Sequence, residues 1–128
     1  MRGPLSPSGF AWPPAPALIA ITVSISAPAS VRRGSTLRYT AAVRNDSQTP
    51  YRLDPCPDFV AYLGGKQATE TYQLNCAPVG LLDPGETATF DMRFDVPRAL
   101  SPGPAPLSWG LIDGRLAAPL ATTTVILT

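Results

Sequence analysis

Between Asp83 and Pro97 the chain reads DPGETATFDMRFDVP, and no other stretch constrains the fold as much. Phe90, Met92, Phe94 and Val96 alternate with Thr89, Asp91, Arg93 and Asp95. Successive side chains of a strand point to opposite faces, so this period of two describes a strand with one face buried and the other in water. Asp83-Pro84-Gly85 supplies a turn before it, and Pro97, which has no N–H for a ladder, ends it. A half-buried strand of this kind needs antiparallel neighbours and a second layer to cover its apolar face.

The same period recurs along the chain. Ile21, Val23 and Ile25 alternate with Thr22, Ser24 and Ser26, and GSTLRYTAAVRN sets Leu37, Tyr39, Ala41 and Val43 against Arg38, Thr40 and Arg44. DFVAYLGG is a short apolar strand that stops at Gly64-Gly65, and TETYQLNC alternates Tyr72, Leu74 and Cys76 with Thr71, Gln73 and Asn75. APLSWGLI buries Leu107, Trp109 and Leu111, the DGR at 113–115 has the composition of a hairpin turn, and LATTTVILT closes with Thr123, Val125 and Leu127 on one face. Seven strands with turn signals between them, and no segment of helical period, predict an all-β, seven-stranded antiparallel sandwich. Residues 17–29 also admit a second reading, as the apolar part of a signal segment with Ala27-Pro28-Ala29 at its cleavage site.

At 128 residues the chain has room for one domain and a tail. Residues 1–18 hold five of the sixteen prolines and read as a linker or tail, which leaves 19–128 as the domain. The net charge is +1 and the ten basic residues are scattered, so no electrostatic stripe for nucleic acid is expected. The apolar runs are too short and too rich in Ser and Thr for membrane insertion by a helix. The chain has no histidine. That removes Ser-His and Cys-His pairs, His general acid–base chemistry and the two-His copper site that some sandwiches carry. The expectation is a protein that is not an enzyme, with no cofactor and no metal.

Cys56 and Cys76 are the only cysteines. Two thiolates without histidine or a second Cys pair cannot complete a tetrahedral metal site, and the C-x-x-C redox spacing is absent. A nucleophilic thiol would find only carboxylates as bases. A disulfide and a pair of buried free thiols remain. Closing this loop would stabilise the fold by roughly 3 kcal/mol on chain-entropy grounds, and would imply an oxidising compartment. Pro55 and Pro57 stiffen the chain beside Cys56. The cysteine spacing and the position of Trp109 after both cysteines differ from an antibody domain, so the bridge is expected to be local.

The aspartates at 46, 54, 58, 83 and 113 fall in turn contexts without a calcium-loop rhythm, and Glu70 and Glu86 sit in polar surroundings that would not raise a carboxyl pKa for glycoside hydrolysis. Asn45-Asp46-Ser47 matches the N-glycosylation acceptor pattern. The loops at 46–58 and 64–70 are the first choice for recognition, with Tyr51, Asp54, Asp58 and Tyr62 as candidate partner-binding residues.

GSTLRYTAAVRNDSQTPYRLDPCPDF, YQLNCAP and LLDPGETATFDMRFDVP together resemble the immunoglobulin-like domain of uncharacterised secreted or membrane-anchored actinobacterial proteins. The shared frame is a strand ending in Asn, a P-C-P turn, a later L-N-C, and a P-G segment leading into F-x-M-x-F-x-V-P, over residues 21 to 112. The resemblance implies an immunoglobulin-like sandwich with a Cys56–Cys76 disulfide, extracellular or in the cell envelope, often after a membrane anchor and a Pro-rich linker; this chain could then be a fragment of a longer anchored protein. The N-D-S and L-D-P-G-E turns are also similar to the bacterial intracellular proteinase inhibitor family, although a disulfide points away from that compartment. The leading expectation is a monomeric, non-catalytic module that binds a protein or cell-envelope component or spaces another domain from the envelope. The alternative is a proteinase inhibitor presenting a sandwich loop.

Overall fold

A computed structural model describes residues 17–68 and 72–128. In chain order the strands are β1 (Ile19–Ser26), β2 (Ser30–Val31), β3 (Thr36–Asn45), β4 (Tyr51–Arg52), β5 (Asp58–Leu63), β6 (Lys66–Gln67), β7 (Leu81–Leu82), β8 (Thr87–Asp95), β9 (Gly103–Ile112), β10 (Leu116–Ala117) and β11 (Ala121–Leu127). One sheet has the order β10-β1-β3-β8, a second the order β2-β11-β9-β5-β6, and β4 and β7 form a separate two-stranded ribbon. The expected linker at 1–18 lies almost wholly outside the described residues. Residues 19–26, read either as strand or as signal segment, form β1 and pair with β3.

The two sheets bury the faces that the alternation marks. From the first sheet come Leu37, Tyr39, Ala41, Val43, Ala88, Phe90, Met92 and Phe94; from the second Ala61, Leu63, Ala105, Leu107, Trp109, Val125 and Leu127. Size is matched across the ladders. Trp109 is fully buried because both its cross-strand neighbours are alanines, Ala61 on β5 and Ala121 on β11, and Ala41 lies opposite Phe90 in the same way. Large side chains beside small ones let the layers interdigitate at interior density.

The all-β class and the sandwich hold, but three details differ from expectation. Among the described residues there are eleven strands, not seven, because the two-residue strands β2, β6 and β10 extend the sheets and β4 and β7 form the separate ribbon. The sheets are mixed: β1 pairs with β10 and β2 with β11 in parallel. The 113–115 turn is real, with the Leu116 N–H donating to the Asp113 carbonyl at 3.1 Å, but it is not a hairpin. It carries the chain from β9 in the second sheet to β10 in the first, and β11 then returns to β9.

A further departure concerns the expected strand at 71–76, of which residues 72–76 are described. Leu74 and Cys76 are buried and Gln73 and Asn75 exposed, as the alternation requires, yet residues 72–76 belong to no ladder. A period of two reports which side chains face inward; it does not report whether the backbone has a partner strand. This segment is held by its side chains and by a covalent bond.

Candidate functional site

That bond joins Cys56 to Cys76, with Cα atoms 5.7 Å apart. Cys56 lies in the β4–β5 loop and Cys76 in the long β6–β7 connection, so the bridge is local and ties two loops at the rim of the sandwich. Its Cys56 sulfur sits 3.2 Å from the Leu74 carbonyl oxygen. Leu53 and Pro57 are buried on either side of an exposed Asp54-Pro55, whose peptide bond is cis. The loop is thus pinned at both ends and turned outward between them.

Aromatic rings anchor the same region to the core. Phe59 stacks on Trp109 with centroids 5.9 Å apart and meets Tyr72 at 5.2 Å in a tilted arrangement. The Arg93 guanidinium lies 4.1 Å from the Tyr72 ring centroid. A row of contacts therefore runs from the buried Trp109 to a charged surface residue.

Tyr51, taken from the sequence as a partner-binding residue, is fully buried. Its hydroxyl donates to Asp113 Oδ2 at 2.7 Å, while Arg115 lies 5.0 Å over its ring and pairs with Asp113 at 2.6 Å. The Arg115 side chain, with further help from its backbone N–H and the Tyr51 hydroxyl, holds the Asp113 carboxyl down at about 2. Burial, followed by the Asp113 carboxylate, pushes the Tyr51 phenol well above its ordinary value. Tyr51 shapes the base of the loop cluster and offers no ring to a partner.

The other three candidates are on the surface. Asp54 and Asp58 are exposed on either side of the bridge, and Tyr62 is half-buried on the outer face of β5, opposite Ser108. Asp58 and Tyr62 share that face, being four residues apart on one strand. Beside Asp58 a groove of about 460 Å³ is lined by Pro55, Cys56, Pro57, Ile112, Asp113 and Arg115. Ile112 is 57% exposed there and gives the groove an apolar wall. Sequence reasoning missed Ile112, Asp113 and Arg115, which reach the site only through the fold; the Asp-Gly-Arg turn was their one visible signal.

Two other sequence motifs resolve differently. Asn45 is fully buried, and its Nδ2 donates to the carbonyls of Thr49 at 2.8 Å and Leu82 at 2.9 Å. The glycosylation pattern is therefore a structural knot, with its acceptor nitrogen committed on both hydrogens. Of the two glutamates, Glu70 lies outside the described residues, and Glu86 accepts from the Asp83 N–H at 2.7 Å. Among the described residues no group of three acidic, Cys or His side chains converges as a metal site would require, and no helix is long and apolar enough to cross a membrane.

The fold defined here, two packed β-sheets with a disulfide at the rim, is of the immunoglobulin-like sandwich class. No family model matches the sequence, and no curated protein does. Among solved structures the chain is similar to the CARDB domain of PF1109 from Pyrococcus furiosus, in solution (16% identity, TM-score 0.56, covering 87% of this chain and 96% of that one). The crystal structure of that domain in complex with di-metal ions gives 15% identity and a TM-score of 0.58, covering 87% and 90%. Red sea bream transglutaminase matches at 15% identity and a TM-score of 0.59, but over only 15% of its own length. These likenesses concern the fold, and carry neither the metal ions of the one nor the enzyme activity of the other.

Proposed function

We propose that this chain is a non-catalytic, immunoglobulin-like module of an extracellular or cell-envelope protein. It engages a protein or envelope component through the loops joined by the Cys56–Cys76 bridge. The bridge is the observation that carries the reading: it fixes two loops against each other on a rigid scaffold, and such bonds persist in oxidising compartments. The contact surface is the groove of Pro55, Pro57 and Ile112 with Asp58 and Arg115 at its rim, and it extends along the outer face of β5 toward Tyr62. The similarity of the P-C-P and L-N-C segments to secreted actinobacterial domains supports the same location. The domain acts as a monomer.

Two measurements test this. Mass spectrometry of unreduced protein from its native host reports whether the bridge forms there; free thiols would remove the basis for the assigned compartment. A pull-down from envelope extract compares the unaltered domain with Asp58→Lys and Tyr62→Ala, and equal recovery of every partner by all three would end the assignment of the surface.

The exposed Asp54-Pro55, fixed between buried neighbours, favours one second reading, a proteinase inhibitor that presents this loop. Residual activity of a protease panel at micromolar domain separates the two, since the binding module leaves every protease active.

A further inference from the structure

At the far edge of the first sheet, β8 has β3 on one side and, among the described residues, no strand on the other. Its register with β3 runs unbroken from Thr87 to Asp95. Natural edge strands are blunted by proline, a bulge, charged side chains or a covering loop; β8 has no proline and no bulge, and its charged residues Asp91, Arg93 and Asp95 face solvent. The ladder to β3 uses the even-numbered residues, as the bonds from Asn45 N–H to Glu86 and from Val96 N–H to Ser35 show. In an antiparallel pair the odd-numbered residues then aim their N–H and C=O outward. At Arg93 those outward groups are both bonded to the Tyr72 hydroxyl. At Thr89 and Asp91, among the described residues, no hydrogen bond reaches them.

Segment 72–79 runs beside this edge without pairing to it, and a groove of about 360 Å³ separates the two. Leu74, Pro78 and Val79 form one wall; Thr89, Phe90 and Asp91 form the other. The Cys76 bridge holds the segment in place, and Tyr72 closes the end of the groove at Arg93. Asp91 is exposed and has no ion pair among the described residues. The site therefore offers the outward backbone groups of Thr89 and Asp91, an apolar wall and the Asp91 carboxylate, with the Arg93 guanidinium held over the Tyr72 ring at its end.

We propose that this groove is a docking site for an extended strand of a partner polypeptide. The strand pairs with the β8 edge at Thr89 and Asp91, turns an apolar side chain toward Leu74 and Val79, and sets a basic side chain beside Asp91. Added strands take affinity from main-chain bonds and specificity from the pockets for alternate side chains, which is the combination present here. The site shares no lining residue with the Pro55–Ile112 groove and stands whether or not that groove binds anything.

The probe is a blocked hexapeptide alternating valine and lysine, titrated into isotope-labelled full-length protein. The free protein should exchange the Thr89 and Asp91 amides fast and those of Phe90 and Met92 slowly; the peptide should slow the first pair. An analogue N-methylated on the edge-facing amides should bind at least ~10-fold more weakly, since it lacks the ladder donors. Thr89→Pro removes an outward N–H without touching the β3 ladder, so it should keep the fold and lose the peptide. Asp91→Lys should weaken binding of the lysine peptide and leave the slowed Thr89 amide measurable at saturation. Unchanged exchange at Thr89 and Asp91 in excess peptide, or equal binding by the N-methylated analogue, overturns the proposal. The peptide-side comparison decides the matter even if Thr89→Pro does not fold.

Discussion

The hydroxyl of Tyr72 is bonded to both backbone groups of a single residue, Arg93: it accepts from the N–H at 2.9 Å and donates to the carbonyl at 3.1 Å. A side chain from a loop thus does at one point of the β8 edge what a neighbouring strand would do. The same ring carries the Arg93 guanidinium on its face and Phe59 at its side. Tyr72 is how a segment without ladder bonds is fastened to the sandwich.

Tyr72→Phe keeps the ring contacts and removes the hydroxyl alone. The Arg93 groups are at the surface, where water replaces the lost partner, so the expected cost is about 1 kcal/mol in urea unfolding. The sharper readout is amide exchange at Arg93, which should accelerate while Phe90 and Met92 stay protected. Unaltered protection at Arg93 would mean that the hydroxyl is not what shields it.

Cys56→Ser with Cys76→Ser removes the bridge and leaves every ladder in place. A loop of this size is worth roughly 3 kcal/mol in the chain-entropy model, and the urea midpoint should fall accordingly with the sandwich intact by circular dichroism. Because segment 72–76 has no ladder of its own, its amides should show the largest local loss of protection. A uniform loss across both sheets would instead mark the bridge as a support of the whole core.

What could be read from the residues, and what could not, divides along this line. Alternation in 89–96 and 36–44 identified β8 and β3 and the side chains they bury, because a half-buried strand leaves that mark in its own sequence. It also marked Leu74 and Cys76 as inward, correctly, and so suggested a strand where the described residues 72–76 form none. Tyr51 looked like a surface aromatic because nothing local announces that Asp113, some sixty residues on, will accept from its hydroxyl and that Arg115 will cover its ring. The parallel pairings of β2 and β10 were equally hidden: two residues carry no period. Asn45 was legible as a motif but not as a role, since its partners at Thr49 and Leu82 come from a turn and a distant ribbon.

Asn45→Asp tests that role. The amide donates to the carbonyls of exposed Thr49 and buried Leu82, and a carboxylate, itself buried, would face both acceptors with no donor of its own. Each orphaned buried group costs about 1–3 kcal/mol, so a loss of roughly 3 kcal/mol or more is expected at neutral pH. The penalty should shrink as pH falls, because the protonated acid can donate one bond. A loss below about 0.5 kcal/mol, the range of ordinary surface substitutions, would show that the knot contributes little.

Tyr39 points the other way. Its hydroxyl is buried on β3 with no hydrogen-bond partner among the described residues, and burial raises its phenol far above the ordinary value, with Tyr72 adding to the shift. Tyr39→Phe keeps the ring that packs beside Met92 and discards a desolvated group, so the domain should gain about 1 kcal/mol. A destabilised variant in urea would reveal that the hydroxyl has a partner after all.

The Tyr51–Asp113–Arg115 cluster makes part of the domain's stability acid-sensitive. Asp113 is held at about 2 in the folded state, chiefly by the Arg115 side chain, against an ordinary value of 3.8. A carboxyl with a depressed folded value favours the native state above its unfolded value, and that contribution is lost as protons bind on the way down. The loss should fall between pH 4 and pH 2 and be absent in Asp113→Asn, whose stability should be lower at neutral pH and flatter over that window. Tyr51→Phe deletes a bond to a charged acceptor and should cost about 2 kcal/mol at pH 7, with less of that cost remaining at pH 2. Parallel stability curves for Asp113→Asn and the unaltered domain across this window would place the acid-sensitive group elsewhere.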